Sequence, residues 1–187
     1  MKKGLVVGGI ILILVGILGM GFAGAYNSVV RLGEEVDSKW AQVENLLQRR
    51  YDLVPDLVKV ANKYASHEKE VINAVVDARA KLNGASTVEE KNVASEELEG
   101  ALSRLLVVVE NYPTLKADAT YIALMDEMSG TENRIAVARR DYNEAVKQYN
   151  VKIKSFPIVL FRGMLGAEEK TFFEVESNVL QKPEYDL

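Results

Sequence analysis

Cysteine is absent from the 187 residues. That excludes a disulfide framework, a thiolate metal site, a cysteine nucleophile and lipid attachment at an N-terminal cysteine. Histidine occurs once, at His67, so a histidine-based metal triad cannot be built, and a di-metal carboxylate bundle would need two Glu-x-x-His motifs. No metal or cofactor is expected. A glycine-rich phosphate loop is missing, as is a Gly-x-Ser-x-Gly context for a nucleophilic serine. The net charge is -4 with no cluster of Lys and Arg, which argues against nucleic acid as a partner, because phosphate binding relies on clustered cations. These absences together predict a protein that is not an enzyme.

What is present begins with a long apolar run. Residues 4–25 carry no charge, and the next charged side chain after Lys3 is Arg31. About 20 apolar residues suffice for a helix to cross a bilayer core, where it satisfies its own backbone groups. A cleaved signal peptide is the competing reading, with Lys2 and Lys3 as a basic start and Ala23-Gly24-Ala25 as a small-residue cleavage pattern. The apolar core exceeds the about 7 to 15 residues of a signal peptide, which favours an uncleaved anchor. Lys2 and Lys3 precede the span, whereas Arg31 is followed by Glu34, Glu35 and Asp37. Basic flanks stay in the cytoplasm. The expected topology is single-pass in the cell membrane, with the N-terminus cytoplasmic and the rest extracytoplasmic.

About 160 residues follow, enough for one domain with a core. Val36, Trp40, Val43, Leu47, Arg50, Val54, Leu57, Ala61, Tyr64, Glu68, Val71, Val75, Ala78 and Leu82 recur at steps of three and four, the seam of packed helices. Pro55 predicts a break near residues 50–52 with Asp52 as a cap, or else a kinked continuous helix. Asn83-Gly84 is a stop, and Thr87 with Glu90 forms a capping box for a third helix. That helix is expected to bend at Pro113 and run to about residue 128. Ser129-Gly130 is the next expected stop, and a fourth helix carries Ile135, Ala138, Tyr142, Ala145, Tyr149 and Ile153 inward until Phe156-Pro157. The expected fold is all-α: an N-terminal transmembrane helix followed by an elongated antiparallel bundle of about four long helices. The expected division is 1–25 anchor, 26–156 bundle, and 157–187 an apolar foot with an acidic, partly ordered tail.

The segment Arg49-Arg50-Tyr51-Asp52-Leu53-Val54-Pro55-Asp56-Leu57-Val58 resembles the LemA family of bacterial membrane-anchored proteins. The likeness extends to Tyr26-Asn27, Trp40, Tyr64, His67-Glu68, Ala78-Arg79, Tyr112-Pro113 with Leu115-Lys116-Ala117, Thr131-Glu132-Asn133 with Ile135-Ala136, Ala138-Arg139, Tyr142-Asn143, Tyr149-Asn150 and Phe156-Pro157. Asp56, Tyr121 and Ile158 depart from the family pattern. The resemblance implies a transmembrane helix carrying a helical bundle, and it implies no reaction. Members look like neighbours of membrane proteases and other envelope proteins.

Many of these motif residues are polar on an otherwise apolar seam, which is costly unless each finds a partner. Arg49, Arg50, Asp52, Pro55, His67, Glu68, Arg79, Tyr112, Pro113, Lys116, Glu132, Asn133, Arg139, Tyr142 and Asn143 therefore form either a structural polar layer that fixes helix register or a face that binds a partner. The Tyr-Asn pairs read more simply as rings packed inside the bundle. An up-and-down bundle would return its last helix to the membrane, making Ile158, Val159, Leu160 and Phe161 an interfacial foot or a contact for another membrane helix. The expected function is a non-enzymatic, membrane-anchored scaffold presenting a bundle face to an envelope or membrane protein, with self-association as a second option. The alternatives are a ligand- or pH-responsive sensor, motivated by His67 beside Glu68, and a cleaved secreted coiled-coil protein.

Overall fold

The computed structural model describes residues 2–173. The acidic end of the tail, residues 174–187, lies outside the described residues. Five α-helices follow one another: α1 (Lys2–Tyr64), α2 (Lys69–Gly84), α3 (Val88–Val109), α4 (Pro113–Lys116) and α5 (Ala119–Lys154), with a 3₁₀ turn at Ile158–Leu160. No strand occurs among the described residues. The all-α expectation holds, and α1 contains a stretch long and apolar enough to cross a membrane.

The chain divides into two compact units. One comprises Met1–Trp40 with Glu144–Lys170, and the other Ala41–Asn143 with Thr171–Leu187.

In the second unit, the C-terminal part of α1 packs with α2, α3 and the N-terminal part of α5. The chain alternates direction there: Arg79 of α2 meets Tyr51 of α1, Lys81 meets Glu97 of α3, and Arg49 meets Glu127 of α5. The core is the expected apolar seam. Val43, Leu47, Val54, Leu57, Ala61, Val75, Ala78, Leu82, Leu98, Leu105 and Ile135 are all buried. Burial of the Val, Leu and Ile side chains among them contributes about 1.5–3 kcal/mol each.

Three helix boundaries differ from expectation, each for a physical reason. The favoured break at residues 50–52 does not occur: α1 runs through Pro55 to Tyr64, the continuous helix that was the alternative. The chain turns instead at residues 65–68, where the Glu68 amide donates to the Ala65 carbonyl at 3.0 Å. No proline or glycine marks that turn, but the burial does. The buried positions are Ala61, Ala65 and Ile72, so the inward phase slips by one residue and Val71 is only half-buried. The second difference is at Pro113. Proline suits the first turn of a helix, and it opens the four-residue α4 there. A second interruption precedes α5, after which Tyr121 is buried and Ile122 is exposed. Third, α5 passes through Ser129-Gly130 without stopping. Thr131 is buried just beyond, and packing there overrides the local preference of glycine.

The capping box forms as expected. Thr87 Oγ1 accepts from the Glu90 amide at 3.1 Å, and Glu90 accepts from the amides of Ser86 and Thr87. Those amides hold the Glu90 carboxyl below its ordinary value.

Candidate functional site

The second unit gathers seven of the fifteen candidate residues into three groups. The first is a buried charge layer. Arg50, on the α1 seam, is 2% exposed. It pairs with Glu132 of α5 and donates to Ser95 Oγ of α3 at 3.2 Å. Arg139 of α5 donates to the same hydroxyl at 2.7 Å. One serine therefore bridges two guanidinium groups. Burial pushes Arg50 down to about 10, with Glu99 opposing that shift and Arg139 adding to it. Arg139 is lowered too, again chiefly by burial. Neither Nε atom has a hydrogen-bond partner among the described residues. The guanidinium of Arg139 also stands 4.4 Å from the Phe173 ring centroid, a cation–π arrangement.

The second group surrounds Pro55. A proline has no N–H, so the carbonyl four residues earlier loses its helical donor. That carbonyl belongs to Tyr51. Arg79 of α2 supplies the missing donor, its Nε lying 3.0 Å from Tyr51 O, and its guanidinium stacks 3.7 Å from the Tyr51 ring centroid. Pro55 and Arg79 are thus two halves of one device, which explains how α1 continues where a break was expected.

The third group ties together two chain corners. Tyr112 donates to Glu68 Oε1 at 2.8 Å, and Tyr64 donates to Asp118 Oδ2 at 2.7 Å. Asp118 Oδ1 also accepts from the amides of Thr120 and Tyr121, capping the start of α5. The Tyr64 hydroxyl, ahead of those amides and Lys63, holds the Asp118 carboxyl below its ordinary value.

Two of the three Tyr-Asn pairs do more than pack, whereas Tyr26 of the third is exposed, against the inward expectation. Tyr142 and Tyr149 are buried as the seam requires. The asparagines beside them grip backbone. Asn143 exchanges two hydrogen bonds of 2.8 Å with the N–H and C=O of Phe173, and the Tyr142 hydroxyl donates to Thr171 O. In the first unit, Asn150 makes the same two-bond exchange with Lys170. A side-chain amide matches a backbone amide donor for acceptor, so each asparagine mimics one residue of a neighbouring strand.

Other positions stand apart from these groups. Arg49 pairs with Glu127 at 2.9 Å and Lys116 with Glu110 at 2.5 Å, all exposed. Asp52 accepts from Gln48 on the surface of α1 and caps nothing. His67 is exposed on the turn before α2. Asn133 is exposed and borders a shallow groove of about 590 Å³ between α1 and α5, with Asn45, Leu46 and Val137 around it. At the end of α5, Ile158 turns inward, while Val159, Leu160 and Phe161 are exposed.

Sequence reasoning missed Ser95 and Asp118. Ser95 lies three residues before Leu98, on the α3 seam, and a hydroxyl in that phase was the available signal. Asp118 directly precedes α5 in an Asp-Ala-Thr context, a cap signal hidden by the expectation of one continuous helix.

Among the described residues no group of three His, Asp or Glu side chains is placed to hold a metal. The fold and these groups define an all-α protein with one helix apolar and long enough to cross a membrane, in which a subset of the polar motif residues holds helices and chain together. The chain belongs to the LemA family, which it matches over residues 39–186. It is 28% identical over 175 residues to magnetosome protein MamQ 2 of Paramagnetospirillum magneticum, covering 80% of this chain and 64% of that one. It is 28% identical over 174 residues to magnetosome protein MamQ of Magnetospirillum gryphiswaldense, covering 79% and 64%. Protein LemA of Metamycoplasma hominis is 26% identical over 150 residues, covering 78% and 67%. The chain thus spans less than two thirds of the length of the MamQ relatives.

Proposed function

We propose that the protein is a non-enzymatic, membrane-anchored scaffold whose helical bundle offers one face to another membrane or envelope protein, a membrane protease being one candidate class. The N-terminus lies in the cytoplasm and the bundle on the opposite side. One observation carries the reading. Arg50, Glu68, Arg79, Tyr112, Glu132 and Arg139 are engaged with one another, with Ser95 or with backbone, as structural groups are.

That leaves surface as the means of action. The groove between α1 and α5 is lined by the apolar Leu46 and Val137 together with the polar Asn45, Asn133, Arg134 and Asp141, a mixture suited to a protein contact. Anchoring confines the search for a partner to the membrane and raises effective concentration, so a modest contact suffices. None of the relatives named above carries a name that states a reaction.

The test is photocrosslinking in native membranes with a photoreactive residue at Asn45 or Val137, and at exposed Val76 of α2 for comparison. The expected result is one membrane or envelope protein, identified by mass spectrometry, captured at both groove positions and absent at Val76. Equal capture at all three sites, or none at the groove, counts against the scaffold. Capture of a second copy alone makes self-association the function.

A further inference from the structure

We propose that the turn following α5 is a second membrane contact, in which Phe156, Val159, Leu160 and Met164 enter the lipid interface beside the end of the transmembrane stretch. The proposal rests on reading the apolar part of α1 as a span, and it goes beyond the scaffold reading by assigning a lipid-facing surface outside that span.

A ring contact within the first unit sets the depth. Phe161 meets Phe22 edge to face, the ring centroids 5.4 Å apart and the planes at 86°. Phe22 lies near the C-terminal end of the apolar stretch 4–25, ahead of the polar Tyr26-Asn27-Ser28. Phe161 therefore sits near the level where that apolar stretch gives way to polar residues. Phe156 is 80% exposed, Leu160 69% and Met164 80%, with Val159 at 45%. Single exposed apolar residues need no explanation, but four of them on one short turn do. Ile158, 3% exposed, fixes that turn to its unit.

Part of the segment's backbone is arranged as lipid contact demands. Backbone donors that leave water must be satisfied internally. The amides of Val159, Leu160, Phe161, Leu165, Gly166 and Ala167 all bond to nearby carbonyls. Arg162 is the one charge between Lys154 and Glu168, and it is folded back: its Nε donates to Ala167 O and its Nη1 to Glu169. Glu169 also takes Lys154 at 2.7 Å. Lys154, more than Arg162, keeps its carboxyl below the ordinary value and so charged. The polar groups of the segment thus converge on Glu169 and leave the apolar side chains clear. These side chains rise from turns and a 3₁₀ segment, not from a regular helix, so they offer no helical ridge for a second transmembrane helix.

A chain without cysteine accepts a single reporter cleanly. Leu160→Cys and Met164→Cys in the full-length protein, each carrying an environment-sensitive fluorophore, are reconstituted in phosphatidylcholine–phosphatidylglycerol vesicles with or without nitroxide lipids. Val15→Cys reports on the span and Val107→Cys on the bundle, both sites being well exposed in the protein alone. The expected result is blue-shifted emission at Leu160 and Met164, several-fold quenched by shallow nitroxides, with deep quenching at Val15 and neither effect at Val107. Water-like emission at Leu160 and Met164, with Val15 quenched, overturns the proposal and leaves the anchor standing. Blue-shifted but unquenched emission there shows a protein cover, and it overturns the lipid assignment. An aqueous Val15 overturns the span, and the proposal with it.

Discussion

Arg50 and Glu132 are partners of unequal exposure, and that inequality sets what each substitution does. Arg50 is almost wholly buried, whereas the Glu132 side chain is 35% exposed. Removing Glu132 strands a buried cation, while removing Arg50 lets Glu132 turn toward water. Glu132→Ala is expected to cost about 3 kcal/mol or more in denaturant unfolding, Arg50→Met clearly less, and Arg50→Met/Glu132→Leu to recover most of the loss. Equal costs for the two single variants would contradict a buried charge at Arg50. Asp118 gives the pH dependence at the same scale. Its folded pKa lies below the ordinary 3.8, chiefly through the Tyr64 hydroxyl. The sign follows from linkage: the stabilisation is fully present above the unfolded value and is lost as pH falls through the folded one. Asp118→Asn should lower the melting temperature near neutral pH and flatten the acid limb below pH 3.8. An unchanged acid limb would remove Asp118 from the account. Pairing of polar seam residues was legible in the sequence, because an Arg at an apolar phase position has few other options. Which residues pair was not: the hydroxyl of Ser95 serves two arginines from different helices, and no local pattern encodes a meeting across 45 residues.

At the scale of elements, local signals and packing disagree at three places. Pro55 and Ser129-Gly130 are the strongest local breakers in their helices, yet both are passed, whereas residues 65–68 turn without such a signal. A proline inside a helix costs about 3 kcal/mol or more in part because it orphans a carbonyl, and Arg79 recovers that part by donating to Tyr51 O. A double-mutant cycle tests the coupling. Arg79→Ala should destabilise the natural protein by about 1–2 kcal/mol. In a Pro55→Ala background residue 55 regains an N–H for the Tyr51 carbonyl, so the same change should cost about 1 kcal/mol less. Additivity of the two substitutions would separate Arg79 from Pro55. The core positions, by contrast, were readable almost throughout from the three-four spacing, because burial of one helix face is what that spacing records. Helix ends were less so, since a seam can stay in phase across a turn or slip by one residue with nothing in the composition to show it.

For the whole molecule, the sequence supplies a stretch apolar and long enough to cross a membrane and a charge asymmetry beside it, and on the proposed reading that asymmetry sets which side receives the bundle. Lys2 and Lys3 stand before the apolar run, and Glu34 and Glu35 follow it with Arg31 as the intervening cation. Positively charged flanks are retained in the cytoplasm, while acidic residues contribute little to orientation. Lys2 and Lys3 against Arg31 and the more distant Lys39 make a narrow margin, so the topology should respond to small changes in flank charge. With cysteine placed at exposed Val93 of α3, a membrane-impermeant maleimide applied to intact cells should label the protein before lysis. Lys2→Glu/Lys3→Glu combined with Glu34→Lys/Glu35→Lys moves the cationic excess across the span, and labelling at Val93 should then require lysis. Asp37, which pairs with Lys170 at 2.9 Å, is left in place so that this contact of the first unit persists in the recharged variant. If Val93 in the natural sequence is shielded until the cells are broken, the bundle faces the cytoplasm, and the partner sought for its groove belongs to that compartment.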